Sequence, residues 1–408
     1  MTEHTSGKRR HSRVVSGVAV IAAAAAAIVA VPLARSEAAT TTAATRTGWE
    51  GIVRETVEIG MAGGWVARGE LSYPRGSRGK LPTVVLLHGS GKNDMDQTLP
   101  GAVSTLKPIA QAVNRQGFAV LRFNKRGVVG VGPKLSDDPA QLYPEKPYEQ
   151  VLRDAAAAVK FAQGQKRVDA KRLFLLGHSE GTMVAGNLAA DPRRYGIAAP
   201  AGVVAMGVVA AGPRETLYYQ AVGSQLGLLH EEFDLDGDGR LTASEASNGL
   251  LGQPEETAGQ LRAVLLDGLR INGRFDADGD GKLAIDAELE PVVRAAVGFD
   301  AFPSLPGAPK GLDAYLVDSA RFALPATDLP RYRGPVLLLN GQNDIQTRTV
   351  GAIVTDAALT KAGNKDHRLI TYPGMGHLMN ITPKYTPANG SPDQAVVTDI
   401  TSWLAERR

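Results

Sequence analysis

Gly177-His178-Ser179-Glu180-Gly181 sets a serine between two glycines, directly after the apolar run Leu173-Phe174-Leu175-Leu176 and before a small-residue helical stretch, Thr182 to Ala190. This is the pattern of a strand, a sharp turn and a helix, in which the turn strains the serine backbone and leaves no room for a Cβ at the flanking positions. A serine hydroxyl is a poor nucleophile until a histidine takes its proton, and that imidazole needs an acid to fix its tautomer. Where such a turn carries the nucleophile, the acid and then the histidine follow later in the chain. Asp344 stands in Asn340-Gly341-Gln342-Asn343-Asp344, immediately after the apolar run Val336 to Leu339, and is the expected acid, with Asp328 and Asp366 as nearby competitors. His377 closes Tyr372-Pro373-Gly374-Met375-Gly376-His377 and is the expected base. The other histidines lie in the N-terminal segment (His4, His11), inside backbone motifs (His88, His178), beside an acidic loop (His230) or at the start of a strand (His367). A tetrahedral intermediate also needs preorganised N–H donors. The amide of Glu180 is one; the second is expected from the loop after Thr83–Leu87, at Ser90 or alternatively Gly91.

A second chemistry stands apart from the first. Asp234, Asp236 and Asp238 alternate with spacers, Gly239 takes the sixth position, Arg240 offers a carbonyl at the seventh, Thr242 an oxygen at the ninth and Glu245 a carboxylate at the twelfth. Such a density of hard oxygens suits Ca2+, and without a cation so acidic a loop repels itself. A second stretch repeats the front half at Asp276, Asp278, Asp280 and Gly281, with the Lys282 carbonyl next. Its ninth and twelfth positions are Ala284 and Ala287, leaving Glu288 or Asp286 to reach in with altered geometry. Leu241 and Leu283 are expected to join the two loops in a short ribbon. These loops and their flanks resemble EF-hands, which implies a paired calcium unit.

The elements that must position these residues alternate in type. Ile52 to Tyr73 reads as two antiparallel strands; Thr83–Leu87, Phe118–Phe123, the run into Ser179, Gly202–Val209, Val336–Leu339 and His367–Tyr372 read as strands; Leu106–Arg115, Tyr148–Gln163 and Gln394–Glu406 read as helices. The expected fold is α/β, a mostly parallel sheet with helices on both faces and its chemistry at the carboxyl ends of the strands. The period breaks at 213–326, where nine basic and nineteen acidic residues give a net charge of −10. This stretch is expected to be an inserted helical cap, with helices near Leu217–Leu229 and Ala258–Leu269 walling the acyl pocket. The implied domains are 1–38, a signal peptide; 39–50, a linker; 51–212, the first part of the core; 213–326, the cap; and 327–408, the rest of the core.

Composition narrows the classes further. There is no cysteine among 408 residues, which excludes disulfides, thiolate catalysis and a cysteine metal site. Lys8, Arg9, Arg10 and Arg13 precede an Ala/Val/Ile run to Leu33 and small residues up to Ala39, the pattern of an export signal cleaved after Ala38, the alternative being an uncleaved membrane anchor. Residues 1–38 carry five basic and two acidic side chains, which accounts for the whole formal charge of +3. The remainder is neutral, which argues against nucleic acid as a partner.

His88-Gly89-Ser90-Gly91-Lys92-Asn93-Asp94-Met95-Asp96, Val120-Leu121-Arg122-Phe123-Asn124-Lys125-Arg126-Gly127 and the serine turn together resemble bacterial α/β-hydrolase esterases of the dienelactone-hydrolase-like and serine-aminopeptidase-like group. The resemblance spans about residues 50–212 and 328–408. It implies carboxylesterase activity with Ser179, Asp344 and His377 as the triad and a small-molecule ester as substrate. Lys92, Met95 and Asn124 depart from that group's Pro, Arg and Asp, so substrate preference does not carry over. An aminopeptidase or amidase would use the same triad, with Glu180 or a cap carboxylate receiving the substrate amine. A calcium-dependent surface-binding protein with a vestigial hydrolase core is the reading from another class.

Overall fold

A computed structural model of the chain describes residues 48–99, 103–132, 134–301 and 310–408. The expected signal peptide, and the linker up to residue 47, lie outside the described residues. The described residues divide into two compact units, one holding 217–301 and the other the rest.

The larger unit is built on eight strands: β1 Ile52–Gly60, β2 Val66–Pro74, β3 Leu81–Leu87, β4 Ala119–Phe123, β5 Val168–His178, β6 Gly202–Met206, β7 Val336–Gly341 and β8 His367–Tyr372. They lie in the order β1-β2-β4-β3-β5-β6-β7-β8. β1 pairs antiparallel with β2 and β2 with β4, while every pairing from β4 to β8 is parallel. β3 and β7 are buried along their whole length, as strands covered on both faces must be.

Successive side chains on a strand point to opposite faces, and the core divides accordingly. Val84 and Leu86 pack with Ile109 and Val113 of α1 (Leu106–Arg115) and with Val396, Ile400 and Trp403 of the C-terminal helix Gln394–Ala405. Val85 and Leu87 face the other layer, with Leu152 and Val159 of α2 (Pro147–Gln163) and Val184 and Leu188 of α3 (Glu180–Ala190). From β3 the chain steps to β4 on one side, and from β5 to β6 on the other, so the loops after β3 and β5 diverge at a topological switch point, where crevices form.

The smaller unit begins at Leu217, not at Pro213, and 310–326 belong to the larger unit instead. The reason lies in 310–326: helix Leu312–Ser319 packs on α2, where Asp318 Oδ2 accepts the Glu149 N–H at 2.7 Å and Tyr315 stacks edge-on to Tyr148. Within the smaller unit Phe233, Leu241, Ala246, Leu283 and Ile285 are fully buried. The helix expected over Ala258–Leu269 runs from Glu255 to Leu265 and stops, because Leu266–Asp267 turns back through Gly268, at φ 63°, to pair with Arg270–Ile271. Leu241 pairs with Leu283 in a two-stranded ribbon.

Candidate active site and acidic loops

Ser179 ends β5 and opens α3 with φ 56° and ψ −121°, a region that costs a non-glycine residue strain. The strain persists because its surroundings admit nothing else. A Cβ on Gly177 would sit 2.0 Å from the Gly181 carbonyl oxygen, and one on Gly181 would sit 2.4 Å from that of Leu87. The Ser179 N–H donates to the Met206 carbonyl at 2.9 Å, which pins the turn to β6. Glu180 is the first residue of α3, so its N–H has no acceptor within the helix.

Asp344 follows β7 and is almost wholly buried. Its Oδ1 accepts the N–H groups of Gln346 and Thr347, each at 2.8 Å; its Oδ2 accepts the Thr347 hydroxyl at 2.7 Å and His377 Nδ1–H at 2.9 Å. Burial pushes this carboxyl up, but attraction to His377 and the hydrogen bonds from His377 and Thr347 outweigh it and hold the group below the usual carboxylate range. Of the three acids considered, Asp328 instead accepts from Asn187 and Arg331, and Asp366 pairs with Arg407. The His377 ring follows β8 and lies against Gly207, where a Cβ would be 3.3 Å from its Cε1.

Ser179, Asp344 and His377 therefore stand at the carboxyl ends of β5, β7 and β8, and the acid and the histidine are in direct contact. The serine turn is joined to them by His178, whose ring lies 4.7 Å from that of His377. Burial, with the nearby His377, pushes His178 down to about 3, so it is neutral. Its tautomer follows from its neighbours: Gln97 Nε2 donates to Nδ1 at 2.8 Å, leaving Nε2–H to donate to the His377 carbonyl at 3.0 Å. Gln97 Oε1 in turn accepts the Gly89 N–H at 2.9 Å. A relay of three hydrogen bonds thus connects the loop after β3 to the backbone of the histidine.

In that loop a Cβ on Gly89 would lie 3.3 Å from Ser179 Cβ, so its backbone runs beside the serine. With the Gly89 N–H engaged by Gln97, Ser90 and Gly91 (φ 90°) are the remaining donors. Glu180 is buried; one carboxylate oxygen pairs with Lys125 Nζ at 2.5 Å and the other accepts the Tyr315 hydroxyl at 2.6 Å. Both oxygens being taken, it is not a free receptor for a substrate amine.

Gln97, Tyr315 and Thr347 are absent from the expected site, and Lys125 enters it only as part of the motif Val120 to Gly127. Thr347 carried a signal, since a Thr three residues after an Asp can return a hydroxyl to its carboxylate. Gln97 carried none.

In the smaller unit, one carboxylate oxygen each from Asp234, Asp236 and Glu245 come within 4.8 Å of one another, and so do those of Asp276, Asp278 and Glu288. Glu245 also closes a capping box with Thr242, whose hydroxyl donates to its Oε2 at 2.8 Å. Asp286, the other candidate of the second loop, turns away to His230 Nε2 at 2.9 Å. Glu288 arrives because Ile285–Leu289 forms a π turn, which takes up one extra residue. Asp238 pairs with Lys282 at 2.8 Å, and Asp278 and Asp280 pair with Arg240 at 2.7 and 3.1 Å, so each loop's seventh residue reaches the other loop's acids. Oxygen-only clusters of this kind fit a hard cation such as Ca2+, with the Arg240 and Lys282 carbonyls at the seventh positions.

This topology, with a strained serine turn after a central strand and an acid–histidine pair after two strands beyond it, defines a class of fold and site. Residues 84–386 match the model of the alpha/beta hydrolase family, and the chain belongs to that family, with its mostly parallel eight-stranded sheet. It is similar to Esterase EstD of Thermotoga maritima, 29% identical over 343 residues that cover 83% of this chain and 65% of that protein, slightly less than two thirds of its length. An uncharacterized protein of Mycobacterium tuberculosis is 32% identical over 139 residues, 34% of this chain and 40% of its own. Among solved structures, that of Bacterial Heroin Esterase aligns with a TM-score of 0.49 and 14% identity, covering 89% of this chain and 86% of that one.

Proposed function

We propose that this chain is an exported serine hydrolase that cleaves carboxylic esters through an acyl-enzyme, and that calcium stabilises its EF-hand-like insert. The observation that carries the hydrolase reading is the 2.9 Å hydrogen bond from His377 Nδ1 to a buried, ionised Asp344, at the sheet edge that also presents the strained Ser179. With Nδ1 donating to Asp344, His377 Nε2 is the proton acceptor. It takes the Ser179 hydroxyl proton as Oγ bonds to the ester carbonyl carbon, and the resulting oxyanion accepts from the Glu180 amide and the Ser90 amide. Collapse breaks the bond to the alcohol, which leaves with the proton held by His377. Water then repeats the sequence on the acyl-serine, releasing the acid and restoring the serine.

Similarity to a protein named an esterase supports the ester over the amide, and the engagement of both Glu180 oxygens leaves an aminopeptidase without one of its two candidate amine receptors. A fluorophosphonate probe, together with p-nitrophenyl esters of increasing acyl length, tests the reading. Labelling that disappears in Ser179→Ala, with ester turnover lost in parallel, is expected; a wild-type chain that neither labels nor turns over any ester refutes it. For calcium, the Asp234–Asp236–Glu245 cluster would hold the ion and neutralise acids that otherwise repel. Excess chelator is expected to lower the melting temperature, and unchanged melting and hydrolysis would refute that part.

A further inference from the structure

Gly89 and Ser90 share one peptide group, whose carbonyl oxygen and N–H point in opposite directions because a trans peptide is planar. Whatever holds the Gly89 oxygen therefore aims the Ser90 N–H. Two donors hold it: Lys125 Nζ at 2.5 Å and Asn93 Nδ2 at 2.9 Å, the latter also bonding the Ser90 carbonyl at 2.8 Å. Lys125 comes from the loop after β4, and its own N–H is fixed to the Asn93 carbonyl at 3.0 Å. The same Nζ also pairs with buried Glu180 at 2.5 Å, and the other oxygen of that carboxylate accepts the Tyr315 hydroxyl at 2.6 Å.

We infer that Lys125, clamped by Glu180 and Tyr315, is a positioning residue that orients the Gly89–Ser90 peptide so that the Ser90 N–H serves as the second oxyanion donor. The inference rests on the serine-esterase reading. A cation on the carbonyl oxygen also polarises the peptide, which strengthens the N–H as a donor in a site of low dielectric. Glu180 has two separate uses under this scheme: its amide faces the oxyanion, and its carboxylate holds the lysine. Tyr315 belongs to the segment that returns from the smaller unit, so the clamp draws on the loops after β3, β4 and β5 and on helix Leu312–Ser319.

The test uses the full chain and steady-state hydrolysis of p-nitrophenyl acetate, with inhibition by an alkyl trifluoromethyl ketone, whose serine adduct carries an oxyanion. Lys125→Met is expected to lower kcat by about 10- to 100-fold, less than outright removal of a donor, with KM changed by less than about 2-fold. Affinity for the ketone is expected to fall in proportion to kcat, and Lys125→Arg to recover part of both. Because Lys125→Met strands the Glu180 carboxylate, the double variant Lys125→Met/Glu180→Gln removes both charges together. It is expected to fold and to show the same loss. A folded Lys125→Met enzyme with wild-type kcat, a kcat loss without loss of ketone affinity, or full recovery of kcat in the double variant would each overturn the inference. Wild-type turnover itself reports on the esterase reading, so failure there is distinct from failure of a variant to differ from wild type.

Discussion

Replacing Asp344 with Asn changes two atoms in a setting that dictates where they go. Oδ1 accepts two backbone N–H groups at 2.8 Å, so an amide nitrogen placed there would face two donors and lose both bonds. The Asn amide is therefore forced into the position of Oδ2, where it confronts His377 Nδ1 and the Thr347 hydroxyl. Thr347 adjusts by rotating its proton. His377 can meet an N–H donor only by presenting an unprotonated Nδ1, which puts its proton on Nε2, the nitrogen that must receive the proton of Ser179. The tautomer is then wrong for general-base catalysis, and in serine triads that error costs about 10⁴-fold in kcat. This corresponds to about 5.4 kcal/mol of transition-state stabilisation. Substrate binding does not use this bond, so KM should stay within about 3-fold, which makes the loss one of transition-state stabilisation alone. Ester hydrolysis by purified Asp344→Asn, with circular dichroism to show that it is folded, measures both. A variant retaining more than about a tenth of wild-type kcat would refute the assignment of Asp344 as the acid and reopen the question for Asp328 and Asp366.

Other consequences follow from the same geometry. His88 and His178 are both pushed down to about 3, chiefly by burial, so the folded chain keeps them neutral where the unfolded chain protonates them near 6.5. Their contribution is fully present above pH 6.5 and is lost as pH falls toward 3, at about 1.4 kcal/mol per pH unit for each. Urea unfolding at pH 7, 6 and 5 should show this decline, and a flat profile would contradict it. Gly181→Ala, whose methyl would meet the Leu87 oxygen at 2.4 Å, should cost about 2 kcal/mol or more and abolish fluorophosphonate labelling, as read by thermal melting and gel fluorescence. Calcium at about 100 times its dissociation constant should add about 2.7 kcal/mol to unfolding of the smaller unit. Glu245→Gln should remove most of that gain, whereas a calorimetric titration unchanged by the substitution would dissociate Glu245 from the metal.

Much of the sheet was legible because its central strands β3, β6 and β7 are short, largely apolar runs, buried along their whole length. The helix Leu106–Arg115 and the strand His367–Tyr372 have the bounds their patterns predict. The contact between Asp344 and His377 was legible for a related reason: each lies in a loop shortly after a strand, and chain order sets the pair apart from its rivals. What stayed hidden depends on contacts far apart in sequence. Gln97 gains its role from a histidine 81 positions later, and Lys125 from a carboxylate 55 positions later, neither of which leaves a local pattern. The return of 310–326 to the core was likewise invisible, because its anchors, Tyr315 on Glu180 and Asp318 on Glu149, reach across the fold. Leu266–Leu269 read as helix on hydrophobicity, but Gly268 gave the backbone a cheaper way to turn.

The π turn at Ile285–Leu289 bears on how such a loop keeps its carboxylate in reach. A residue gained at the start of a helix ordinarily rotates everything after it by about 100°, which would swing a carboxylate out of reach. Widening one turn absorbs the added residue locally, so Glu288 joins Asp276 and Asp278 although it sits thirteenth. A loop can therefore hold its carboxylate one position late, and counting to a fixed position overlooks such a loop. Deleting Ala287 would bring the glutamate to twelfth place on an ordinary helical turn.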